Sequence, residues 1–147
     1  MSSPFNSANP RPVGHFIANF PLLAFLLIGY NIATMVGHHF DTSAETKLSV
    51  PLVSGAVWGV TINEIFVILG LAVLFVELMK STRATGGAAL EHILSMLVFI
   101  AYLIEFLVVR SAGTNTFLTL GLMSLIDVMA GYSISIAVAR KEMNITN

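Results

Sequence analysis

The chain contains no cysteine, which removes disulfides, thiolate catalysis and thiolate-held iron–sulfur clusters from consideration. Charge is equally scarce. Only 10% of the 147 residues are Asp, Glu, Lys or Arg, against about 25% in a typical soluble domain. A water-facing surface cannot be covered with so few charges, so a solvent other than water has to face much of the chain. The net charge of −1 comes without a basic run or basic–aromatic interleaving, so nucleic acid has no electrostatic foothold. Also missing are a phosphate-cradling glycine loop, a nucleophile elbow and a haem-attachment motif. The sequence therefore reads as non-enzymatic and without a cofactor.

What remains is apolar: 56% of residues are hydrophobic and the mean hydropathy is +0.85. The hydrophobic residues fall into four long segments, approximately 14–36, 51–79, 90–109 and 116–139. Each is close to the roughly 20 residues that a membrane-spanning helix needs. Backbone groups in lipid must be satisfied within their own segment, which favours helices. The expected fold is all-α, a polytopic membrane protein of four transmembrane helices joined by short loops. Residues 1–13 read as a polar tail, 14–140 as a single four-helix domain and 141–147 as a short carboxy-terminal tail. The first span reads as a retained helix rather than a cleaved signal, since no small-x-small site follows it. Pro51 suits the first turn of the second helix.

The basic residues set an expected orientation. Arg11, Lys80, Arg83, Arg140 and Lys141 fall in the amino tail, second loop and carboxy tail, whereas Lys47 and Arg110 fall in the first and third loops. Five against two places both termini inside. The glycosylation pattern Asn144–Ile145–Thr146 would then face the cytoplasm and be inert.

Inside the spans, polar residues form helical stripes at 100° per residue. Thr116, Ser124, Asp127, Gly131 and Ser135 share an arc of the fourth helix; Glu91, Ser95, Tyr102 and Glu105 share one on the third; Asn31, Thr34 and His38 cluster on the first. Such stripes are expected to face protein rather than lipid. On the second span, Gly55, Gly59, Asn63, Gly70 and Glu77 line up as a close-packing face, with Gly131 in the same role on the fourth. Glu64 points about 135° away from that face. Counted at 1.5 Å per residue, Glu64 and Asp127 come out near mid-membrane, Glu105 about 7 Å further out at the level of Asn31, and Glu77, Glu91 and His92 near the inner boundary.

An ionised carboxylate at the bilayer centre costs at least about 2.5–3.5 kcal/mol, so these acids need a reason. One is structural: carboxyls hydrogen-bonded across helix contacts. The other is a proton or cation relay through Glu64, Asp127, Glu105 and Tyr102. Metal or haem readings rest on Gly37–Asp41 (GHHFD), which sets His38 and His39 beside Asp41, and on His15 and His92 at similar depth. Neither spacing is specific.

The runs LFVELMKSTR, HILSMLVFIAYLIEFLVV and LMSLIDVMAGYSISIAVARK resemble a group of small, uncharacterised four-helix inner-membrane proteins of proteobacteria. The resemblance covers residues 54–141 and rests on Glu77–Lys80, His92, Ser95, Glu105 and Ile126–Asp127. It implies a bacterial inner-membrane setting and carries over no activity, cofactor or catalytic residue. The expected partners are the lipid bilayer and further copies of the chain or a larger membrane complex.

Overall fold

The computed structural model describes residues 20–40, 46–82 and 88–145. Four helices appear in them: α1 (Leu23–Met35), α2 (Ile62–Ser81), α3 (Ala88–Val108) and α4 (Asn115–Ile145). A hairpin of two antiparallel strands, β1 (Leu48–Pro51) and β2 (Val57–Val60), separates α1 from α2. A single 3-10 turn, Arg110–Ala112, links α3 to α4.

Helices α2, α3 and α4 are each long and apolar enough to cross a membrane, which points to a membrane protein. Their outward residues suit lipid: Ile68, Leu71 and Phe75 on α2, Leu97, Ile104 and Leu107 on α3, and Leu122 and Met129 on α4 are all exposed. Helix α1 is also apolar but has 13 residues, about 20 Å at the helical rise and short of a full crossing. The expected start of the first span, residues 14–19, lies outside the described residues. Helix α4 continues to Ile145, so 141–145, expected as a tail, is helical.

The second span needs correction. Its helix begins at Ile62 rather than Pro51, and Pro51 ends a strand. Gly55 takes a positive φ of 86° in a three-residue hairpin loop, a position that glycine occupies without steric cost. Leu52 and Ala56 close the loop by a backbone hydrogen bond of 2.8 Å. Gly59 is in β2, where a Cβ would come within 2.9 Å of Thr46 Cγ2. Neither glycine lies on a helix face, so the proposed helix-packing stripe loses both. The helix starts where it does because Thr61 caps it: the Thr61 hydroxyl accepts from Glu64 N–H while the Glu64 carboxylate accepts from Thr61 N–H at 2.8 Å. This reciprocal pair satisfies two donors that the first helical turn leaves open.

Gly70 faces α4 so closely that a Cβ would sit 2.7 Å from both Leu120 Cδ2 and Met123 Sδ. Helix α4 packs most extensively, against α3 and α2, and α1 closes the remaining side. The helices alternate in direction. The start of α1 meets the end of α2 at one end of the bundle, here the Lys80 end, and the hairpin lies at the other.

Aromatic residues fill the core toward the hairpin end. Tyr30, wholly buried, stacks on Phe40 at 4.1 Å and meets Phe117 and Phe66 edge-on. Its hydroxyl donates to Ser111 O at 3.0 Å and pairs with Thr114 Oγ1 at 2.7 Å. Thr114 in turn accepts from Phe117 N–H and so caps α4. Helix α1 is thereby fastened to the start of α4.

Candidate functional site

Among the described residues, the buried charged side chains lie at the Lys80 end. Glu77 and Asp127 are 5% and 4% exposed, and each is the last member of a helical series. On α2 the buried residues are Gly70, Leu74 and Glu77, spaced four and three apart. On α4, Ser124 and Asp127 stand one turn apart and face the polar stripe of α3. These spacings place all of them on inward faces.

Glu77 does for α1 what α1 cannot do for itself. The residue before its first turn is Leu22, which offers no side-chain cap, and the first turn holds no acid. The Glu77 carboxylate accepts the Leu22 backbone N–H from a neighbouring helix. Negative charge at a helix N-terminus is favoured by the peptide dipoles and by the open N–H groups there. Lys80 Nζ lies 3.7 Å from Glu77 Oε2 and donates to Phe20 O at 3.3 Å. Tyr102 Oη donates to Leu23 O at 3.1 Å. The first turn of α1 is thus gripped by α2 and α3 together.

Asp127 accepts a hydrogen bond from Ser95 on α3, with Lys80, His92 and Glu77 within electrostatic range. His92 is stacked on Tyr132, ring centroids 5.9 Å apart. Its buried Nδ1 has no hydrogen-bond partner among the described residues. The close approach comes from Gly131, whose Cβ would lie 3.1 Å from that nitrogen. Gly131 therefore lies against His92 of α3.

The four residues of the expected relay are not one cluster. Glu105 takes two hydrogen bonds from Asn31 Nδ2, at 2.8 and 3.1 Å, joining α1 to α3 at the level inferred from the sequence. It stands ten residues beyond Ser95, roughly 15 Å along α3 from the Asp127 level. Tyr102 lies between them on the same helix, its hydroxyl bound to α1. Glu64 is the clear correction: it is exposed in the first turn of α2, about 20 Å along the axis from Glu77, and its carboxylate is engaged in the cap. The mid-membrane depth assigned to it followed from starting the helix at Pro51. Asn63 is likewise at the helix start, with a buried Oδ1 that has no partner among the described residues, and it makes no bond across a helix contact there.

The helical stripe read from the sequence includes Glu77, but the expected relay includes neither Glu77 nor Lys80. The signal was present: Glu77 continues the Gly70–Leu74 series, and Lys80 is one turn further on.

At the hairpin end, two surface cavities open. One of about 750 Å³ is lined by Thr34, His38, His39, Arg110, Ser111 and Thr114 among others. The other, about 430 Å³, lies between the starts of α2 and α4 beside Trp58, Asn63, Glu64 and Thr116. Of the histidine-based metal and haem readings, Asp41 and His15 lie outside the described residues. Within them, no three His, Asp or Glu side chains are grouped to hold a metal ion. Comparison of the chain with protein-family models, with curated proteins and with solved structures finds no match.

Proposed function

We propose that the chain is a non-enzymatic, multi-pass protein of the bacterial inner membrane, with both termini in the cytoplasm, serving as a helix-packing subunit of a homo-oligomer or a larger membrane complex. The observation that carries the reading is how the intramembrane acids are used. Glu77, Glu105 and Asp127 each accept a hydrogen bond from a different helix: from Leu22 N–H, Asn31 and Ser95 respectively. Groups so employed hold the bundle together and have no need of a substrate. Interhelical polar bonds of this kind average about 0.6 kcal/mol and reach about 1.7 kcal/mol, enough collectively to fix helix order and rotation. The bacterial setting rests on the resemblance of residues 54–141, and the orientation on the placement of basic residues.

Purification in mild detergent followed by native mass measurement tests the assembly. The reading expects an oligomer or a co-purifying membrane partner, and a lone monomer would contradict it.

A second reading is favoured by one specific feature. Two buried carboxyls, Glu77 and Asp127, lie within electrostatic range of the Lys80 ammonium, beside the Nδ1 of His92, which has no hydrogen-bond partner among the described residues. Buried acids near a histidine are suited to taking up and releasing a proton, and Tyr102 and Glu105 extend the polar line along α3. On this reading the chain conducts protons or cations through Asp127 and Glu77, with Glu64 taking no part.

A further inference from the structure

From Leu48 to Asn63 the chain carries no charged residue, yet most of this segment is not in the bundle. It forms the hairpin, and its apolar side chains stand in the open: Leu48, Leu52, Val57 and Trp58 are about half exposed or more, and Val53 at the tip is fully exposed. The register pairs Leu48 with Val60 and Val50 with Trp58, so these four share one wholly apolar face, since cross-strand partners share a face. Leu48 and Trp58 stand open on it, Val60 beside the cap of α2 is buried, and Val57 lies on the opposite face. Such a surface is poorly suited to bulk water.

Hydrocarbon is excluded as well. A two-stranded ribbon has two open edges, and each unpaired N–H or C=O in the bilayer core costs several kcal/mol. Between water and hydrocarbon lies the headgroup layer, about 5–8 Å deep on each side of the bilayer. A four-residue strand is about 13 Å long, too long to stand upright there but able to lie flat. Position agrees: the hairpin runs directly into the cap of α2, and Trp58 lines one groove with Asn63 and the exposed Glu64. A carboxylate at that level marks where the span meets water. Tryptophan is the residue most characteristic of that boundary.

We propose that the hairpin of β1 and β2 lies flat in the headgroup layer of the membrane at its end of the bundle, with lipid covering its apolar face and Trp58 as its anchor. The proposal rests on the chain being a membrane protein, which flotation of the reconstituted protein with phosphatidylcholine vesicles tests separately.

Trp58 is the only tryptophan in the chain, so the unmodified protein carries its own probe. In vesicles containing phosphatidylcholine brominated close to the headgroup, emission is expected to be blue-shifted from that of free tryptophan and strongly quenched. Phosphatidylcholine brominated deep in the acyl chain, and iodide present on both sides of the membrane, are expected to quench weakly. A protein that floats with vesicles but whose emission iodide quenches like free tryptophan places the hairpin in water and overturns the proposal. Quenching by neither lipid nor iodide means that protein covers the face, and also overturns it. Because the chain lacks cysteine, Val53→Cys gives a second reading at the tip: a water-soluble maleimide is expected to label it many-fold more slowly in open membrane sheets than after denaturation in detergent. Equal rates would contradict the placement.

Discussion

The Glu77 carboxylate on α2 receives the backbone N–H of Leu22, so that one helix supplies the N-terminal cap of another. This bond joins residues 55 positions apart in sequence and ties the shortest helix to the bundle at its first turn. Glu77→Ala leaves that N–H without its acceptor and takes the carboxylate away from Lys80, whose ammonium keeps only Phe20 O. A loss of about 1–3 kcal/mol is expected, read as a fall in the thermal midpoint in detergent and as faster hydrogen exchange at Leu22 to Ala24. Glu77→Gln keeps an acceptor oxygen and should lose less than half as much.

Glu64 invites the opposite expectation. Glutamine also completes a capping box, so Glu64→Gln should change stability by no more than about 0.5 kcal/mol. Thr61→Ala, which removes the other half of the box, should cost about 1 kcal/mol. Thermal unfolding of both variants checks this. A larger loss for Glu64→Gln than for Thr61→Ala would contradict the capping role.

The Gly70 contact is graded by size. A methyl group there meets Leu120 and Met123 side-chain ends at 2.7 Å, so Gly70→Ala should cost about 1–3 kcal/mol through overpacking, and Gly70→Val more. Gly121, where a Cβ would stand 3.7 Å from Tyr102, serves as the control and should accept alanine with little loss.

Asn31 and Glu105 form an interhelical pair that a double-mutant cycle isolates. Asn31→Ala, Glu105→Ala and the double variant are expected to give a coupling of about 0.6–1.7 kcal/mol. Additive losses in thermal unfolding would show that the bond contributes nothing to the fold.

Where the sequence was legible, helical period carried the reading. The expected third and fourth spans start within two residues of α3 and α4, and the stripe of Thr116, Ser124 and Asp127 is buried against protein. Depth counting at 1.5 Å per residue brought Asn31 level with Glu105, and the two are bonded. The second span failed because hydropathy does not distinguish an apolar hairpin from an apolar helix. Pro51, Gly55 and Gly59 are breakers, and Thr61–Ile62–Asn63–Glu64 matches the capping-box pattern that marks a helix start. Read locally, those residues place the helix at Ile62 and move Glu64 from mid-span to its end. The Glu77–Leu22 bond was not legible, because no local pattern tells which helix end a distant carboxylate will meet.

The central claim is that the intramembrane acids hold helices together. Its most direct test is ion flux into proteoliposomes for Asp127→Asn and Glu77→Gln, alongside their thermal midpoints. The account predicts that flux equals that of the unsubstituted protein while the midpoints fall. Flux present in the parent and lost in either variant, with an unchanged midpoint, would contradict it and assign the cluster to proton or cation conduction.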